Sequence, residues 1–145
     1  ATISGSLRAK SLFTTVHNFA NAGLAAYYIP FMSTVEATTP TYLDHMIAPA
    51  NGRLVKAFAR LSGDQSGSVI VDVHATSAAQ ETIQGSDNKE RVTVTINHAN
   101  TTYTFATCGS QHFTEGDIVG IRIAPLAASD NVNVTCVWEY DFTNT

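Results

Sequence analysis

The side chains that could do chemistry in this 145-residue chain are five histidines, two cysteines and a thin set of carboxylates. His17, His45, His74, His98 and His112 lie in separate segments. No two show the i, i+2 or i, i+4 spacing that would aim two imidazoles at one metal from a strand or a helix. Asp44-His45 and Asp72-x-His74 bring a carboxylate close to an imidazole, and Asp72 with His74 is the first pair to test for hydrolysis. No serine or cysteine stands in a nucleophile elbow, however, so the third member of a triad is missing. Asp87-Asn88 with Glu90 offers too few oxygens for a calcium cage, and Asp64 and Asp117, each following a glycine, read as carboxylates that hydrogen-bond local backbone. Cys108 and Cys136, 28 residues apart, match no zinc or redox spacing. Cys136 shares the apolar face of its segment, and a disulfide to Cys108 would require strand parity to fail. Asn100-Thr101-Thr102 and Asn133-Val134-Thr135 fit the glycosylation pattern, which a chain with 19 threonines also meets by chance. The expectation is a protein that is not an enzyme, with no catalytic residue, no metal ligand and no cofactor.

Charge narrows the partners. Eight Lys plus Arg against twelve Asp plus Glu give a formal net charge of −4, and no run of basic residues supplies the footprint of a nucleic-acid binder. No stretch approaches the ~20 apolar residues of a membrane span, and the first residues lack the apolar core of a secretion signal, so a soluble protein is expected. Charged residues are only 14% of the chain while 44% are hydrophobic. That balance suits strand surfaces covered by neighbours.

The elements that must position these groups are mostly short β runs separated by turn residues, the pattern of a sandwich or jelly roll. Residues 1–25 are Ala-, Ser- and Asn-rich and keep neither strict period for long. They read either as an extended N-terminal arm that orders against a partner or as a first strand wrapped on the chain's own core. Residues 26–145 read as one all-β domain, an antiparallel sandwich of about eight strands. Tyr27–Met32 reads as a strand interrupted by Pro30, and Tyr42–Ala48 as a second. Asn51-Gly52 signals a hairpin turn leading into Arg53–Leu61. In Ser68–Ala75, Val69, Val71 and Val73 share one face, with Ile70, Asp72 and His74 on the other. Residues 76–91 read as a polar surface connection. Arg91–Ile96, Thr101–Thr107 and Asp117–Ala124 come next as strands. The last, Val132–Asp141, stacks Val132, Val134, Cys136, Trp138 and Tyr140 on one face.

Four stretches together resemble a type of tailed-phage virion protein: Tyr28-Ile29-Pro30-Phe31; Ala48-Pro49-Ala50-Asn51-Gly52-Arg53-Leu54-Val55-Lys56; Phe113-Thr114-Glu115-Gly116-Asp117-Ile118-Val119-Gly120-Ile121; and the ending Val132 to Asp141. The resemblance spans about residues 27–141. It implies a small β domain of the kind found as capsid decoration (cement) proteins and as the ends of head or tail fibres, commonly trimeric. Phe113-x-x-Gly116-Asp117 also resembles trimeric jelly rolls of the tumour-necrosis-factor and complement C1q type. The resemblance thus implies a homotrimer on the outer surface of a virion with the major capsid protein as partner, or alternatively a receptor- or glycan-binding fibre module with a surface glycan as ligand. No coiled-coil heptads or collagen repeats precede the domain, which favours the decoration protein. The resemblance carries no catalytic residues. On this reading, deleting residues 1–20 leaves a folded domain that attaches to shells less well.

Overall fold

A computed structural model describes residues 9–22, 25–62, 67–96, 102–107, 109–124 and 129–143. Nine strands are described: β1 (Lys10–Ala22), β2 (Tyr27–Tyr28), β3 (Met46–Ile47), β4 (Asn51–Leu61), β5 (Gly67–Thr76), β6 (Asn88–Ile96), β7 (Thr102–Ala106), β8 (Ile118–Ala124) and β9 (Ser129–Asp141). The first sheet runs β1-β9-β4-β7 and the second β2-β8-β5-β6, with β3 also on β8. Every pairing is antiparallel. Counting β2 and β3 as one interrupted strand, the two sheets have the orders 1-8-3-6 and 2-7-4-5 of an eight-stranded jelly roll. The expected all-β sandwich is what forms.

The core is built by alternation. Val132, Val134, Cys136, Trp138 and Tyr140 of β9 point inward, facing Val69, Val71 and Val73 of β5 and Val119, Ile121 and Ile123 of β8. Trp138 is fully buried and contacts the rings of Phe31 and Phe113. Its Nε1–H donates to Thr15 Oγ1 at 2.8 Å. Burial in this layer pushes the Cys136 thiol up to about 12, so it behaves as a small apolar side chain. Cys108 lies outside the described residues, as do His98, Asp64 and Asn100.

The first 25 residues supply a strand where they are described. β1 pairs with β9 from Lys10↔Asp141 to Ala22↔Ser129, and Phe19 and His17 are buried from it. The aperiodic look of this segment has a physical cause. β1 is an edge strand, so Leu12, Phe13 and Val16 stay exposed and the apolar alternation blurs.

Three further expectations are corrected. Tyr27–Met32 is a strand for two residues only, because Pro30 has no N–H and the amides of Phe31 and Met32 turn aside to Leu43 O. Tyr42–Ala48 begins instead with one 3₁₀ turn, Tyr42–Asp44. There the Asp44 carboxylate accepts from both Thr41 N–H and Thr41 O–H, closing a capping box that only Met46–Ile47 follows as strand. Asn51-Gly52 is not a hairpin turn; both residues lie in β4 opposite Asp141 and Tyr140. Gly52 is there for close approach, since a Cβ would collide with Glu139 O and sit 2.9 Å from the Phe113 ring.

Residues 76–91 also hold more structure than a polar surface connection suggests: β5 runs to Thr76 and β6 starts at Asn88. Between them Ile83 is fully buried over Gly120, where a Cβ would collide with Ile83 Cδ1. Gly116 has φ +85°, and Asp117 accepts from Thr114 N–H and O–H, the local turn chemistry expected of that carboxylate.

Candidate functional site: an exposed apolar side

Among the described residues, Asp72 and the histidines His17, His74 and His112 are spent on the fold, each by a traceable local cause. Asp72 is buried on the outer face of β5, and burial by itself would raise its carboxyl. Hydrogen bonds and charge from Arg91 and Arg122 outweigh this and hold it below the usual carboxylate range. Arg91 meets it at 2.7 and 2.9 Å, and Arg122 at 2.5 and 3.1 Å. Its neighbour in sequence, His74, turns the same way but spends Nδ1 on Gln84 O at 3.0 Å and stacks edge-on against Tyr28. Burial lowers the His74 pKa. Asp72 and His74 therefore form an ion-pair knot and a loop anchor, with no nucleophile hydrogen-bonded to either.

His112 and His17 are committed in the same way, whereas His45 Nδ1 is buried without a hydrogen-bond partner among the described residues. His112 Nδ1 accepts from Leu54 N–H at 3.0 Å, which leaves the proton on Nε2, donated to Glu90 Oε2 at 2.6 Å. This satisfies the amide freed where the β4–β9 register slips between Leu54 and Lys56, while Thr107 O–H serves the carbonyls there. His17 Nδ1–H donates to Pro30 O at 2.8 Å, so Nε2 accepts from Thr15 O–H at 2.9 Å, and Thr15 Oγ1 in turn accepts from Trp138. Burial lowers the His17 pKa, partly offset by the Pro30 bond. That chain ties β1 to the core and to the segment after Pro30. Asp44 closes the 3₁₀ turn and is engaged by Thr41 through Oδ2, while its Oδ1 is buried without a partner, and the buried His45 ring lies edge-on to Tyr42. Asn133 and Asn18 bond each other across the β9–β1 ladder. Among the described residues no three His, Cys, Asp or Glu side chains gather to hold a metal ion, and no helix is long and apolar enough to cross a membrane.

What stands out instead is a surface. Among the described residues, the large hydrophobic side chains left exposed are Leu12, Phe13 and Val16 on β1, and Met32, Val35, Tyr42, Leu43 and Ile47 on the segment that comes after β2. All fall between positions 12 and 47; Met32, Tyr42 and Ile47 meet β1 at Thr15, while Leu12 and Val16 lie on the outer face of the first sheet opposite Glu139 and Thr135. His17 and Phe31 hold the two segments together, ring centroids 4.3 Å apart. A groove of about 430 Å³ opens between β1 and β3, lined by Thr15, Phe31, Met32, Tyr42, Met46 and Ile47 and by the imidazole of His45. From Ser11 to Gly52 the only formal charges are Glu36 and Asp44, and Asp44 is buried. Sequence reasoning missed this surface because its residues fit no strict period; the signal that could have found it is that long stretch almost without charge.

A second, more polar cleft of about 360 Å³ lies at the end of the sandwich between Asn18, Thr34, Arg60, Ser62, Asn131 and Asn133. It lacks an exposed aromatic ring, Phe19 at its floor being buried.

Fold and surface together define a jelly-roll β-sandwich with large hydrophobic side chains bare along β1 and the segment after β2. No protein-family model and no curated protein matches the sequence. Among solved structures the chain is similar to the globular domain of a zebrafish complement 1qA protein, at 15% identity over 87% of this chain and 94% of that one, TM-score 0.45. It is similar to murine APRIL at 12% identity, covering 85% and 98% of the two chains, TM-score 0.42. A third is a chain of the cyanophage Pam1 capsid asymmetric unit, at 14% identity over 97% and 92%, TM-score 0.38. At these identities and scores the likeness extends to β architecture alone.

Proposed function

We propose that this chain is a structural virion protein, a phage capsid decoration (cement) protein that sits as a homotrimer on the outer surface of the shell and stabilises the major capsid protein beneath it. The observation that carries this reading is the set of large hydrophobic side chains left exposed along β1 and the segment after β2, on a domain whose His17, His74, His112 and Asp72 are already engaged in holding the fold. Such a surface binds another protein; it does not turn over a small molecule. The sequence resemblance to tailed-phage decoration domains supplies the kind of partner. The work is then thermodynamic. A protein that binds only the assembled shell stabilises it by the free energy of the contacts, and three linked sites multiply a modest affinity per contact. Mixing the purified chain with undecorated shells of the phage that encodes it, with sedimentation and electron microscopy as readouts, tests the reading. Ordered density on the shell and a raised temperature of shell disruption are expected; bare shells at saturating protein would refute it.

The polar cleft beside Arg60 favours one second reading, a glycan-binding module of a head or tail fibre. Its amides and guanidinium are the group types that hydrogen-bond sugar hydroxyls and carboxylates. Binding on a glycan array that Arg60→Ala abolishes is what that reading requires.

A further inference from the structure

We propose that the groove between β1 and β3 binds a neutral, mostly apolar small molecule with one hydroxyl group, a phenol or an alcohol, and that the imidazole of His45 holds that hydroxyl. This goes beyond the structural reading above and does not rest on it.

Taken one by one, the polar side chains of the lining are engaged elsewhere, and one is left over. Thr15 Oγ1 donates to His17 Nε2 at 2.9 Å and accepts from Trp138 Nε1–H at 2.8 Å. Tyr42 O–H donates to Glu81 Oε1 at 2.5 Å, and the Met46 thioether accepts from Tyr140 O–H at 3.6 Å. His45 is 9% exposed, its Nδ1 is shielded from solvent, and among the described residues no hydrogen bond reaches either ring nitrogen. A buried imidazole without a partner is less favourable than a phenylalanine in the same place, and a ligand that bonds it removes the penalty. With no bond to fix it, the ring can turn half over about χ2 and bring a nitrogen to the groove side.

The rest of the groove sets the body and the charge of the ligand. Phe31, Met32, Met46 and Ile47 are apolar walls, and the two thioether side chains adapt readily to shape. The volume, about 430 Å³, lies within the range of small-molecule sites, on the order of 300–1,000 Å³. Met32 and Ile47 are 75% and 71% exposed, so a bound molecule covers side chains that otherwise face water. Two carboxylates border the site: Glu81, held by Tyr42, and Asp44, next to His45, whose Oδ1 is buried without a partner. They repel an anion. Neither lines the groove, so an ammonium inside it would lose its water without gaining a counter-ion. A hydroxyl both donates and accepts, and so satisfies an imidazole nitrogen with or without its proton.

The experiment uses the full chain in equilibrium dialysis against four probes of one shape: 1-naphthol, naphthalene, 1-naphthoate and 1-naphthylmethylamine. The wild type is expected to bind 1-naphthol at one site, roughly 2–10-fold tighter than naphthalene, the worth of one neutral hydrogen bond. Both charged probes are expected to bind more weakly than naphthalene. In NMR spectra of the same samples the imidazole resonances of His45 are expected to shift with 1-naphthol, while those of His74, on the second sheet, stay in place. His45→Phe keeps a ring but removes both nitrogens, and is expected to bind 1-naphthol and naphthalene equally. Ile47→Trp narrows the mouth and is expected to weaken both, whereas Arg60→Ala, in the polar cleft, leaves them unchanged. If His45→Phe does not fold, the probe ranking and the imidazole shifts of the wild type decide. No saturable binding of 1-naphthol, equal wild-type affinity for 1-naphthol and naphthalene, tighter binding of either charged probe, or a site indifferent to Ile47→Trp would each overturn the proposal.

Discussion

Single residues in this protein are spent on satisfying buried polarity, and their costs differ in ways that can be measured. Asp72 is 1% exposed and accepts from two arginines of unequal burial, Arg122 at 24% and Arg91 at 52% side-chain exposure. Removing the carboxylate strands the less exposed guanidinium, so Asp72→Ala is expected to lower the unfolding free energy by about 3–5 kcal/mol, the range for breaking one partner of a buried pair. Arg91→Ala removes a largely hydrated group and is expected to cost about 1 kcal/mol or less. Equal costs in urea unfolding would show that the knot is not organised around Asp72. Trp138→Ala empties the centre of the core and breaks the bond to Thr15, for an expected loss of about 3–5 kcal/mol. A variant melting within a degree or two of wild type would place the ring outside the core.

At the scale of elements, β1 decides most. Read as an arm, residues 1–20 should be removable without harm to the domain; as the edge strand of the first sheet, they are not. Their loss strips Phe19 and His17 from the core, exposes the β9 ladder from Val132 to Asp141, and takes the Thr15 partner away from Trp138. The truncated chain is therefore expected to be insoluble or to lose its cooperative melt, measured by near-ultraviolet circular dichroism on heating. A truncation that melts like the full chain would return these residues to the status of a detachable arm. The expectation of strands from Ser68 to Ala75 and from Val132 to Asp141 was legible because one face of each meets the core and the side-chain period is two. β1 and the segment from Phe31 to Ile47 were not, because they lie at an open side where apolar residues point both ways.

Across the whole molecule, stability should depend on pH in two steps. His17 and His74 both have pKa values lowered from 6.5, first by burial. The unfolded chain therefore takes up protons before the folded one does, and stability present above pH ~6.5 is lost as pH falls below it. His17 has no room for a second proton, because Nε2 is already the acceptor of Thr15 O–H. Asp72 adds a second loss as pH falls below the unfolded carboxylate value of 3.8, since its own pKa is held lower in the fold. The urea midpoint is expected to decline between pH 7.5 and 5, and a His17→Gln/His74→Gln variant to flatten that slope. A midpoint independent of pH over this interval would mean that neither imidazole is buried.

The amino-acid sequence alone determined the antiparallel sandwich, the inward faces of β5, β8 and β9, and the local turn role of Asp117. All of these are written in patterns shorter than ten residues. Tertiary structure decided the rest. That Gly52 is a close-approach glycine and not a turn, that Asp72 pairs with arginines 19 and 50 residues away and not with its neighbour His74, and that Thr15 and Ile47 line one groove all depend on contacts between segments far apart in the chain. Period and composition report what a residue can do with its neighbours in sequence; only the packing of the two sheets says which distant groups reach it first.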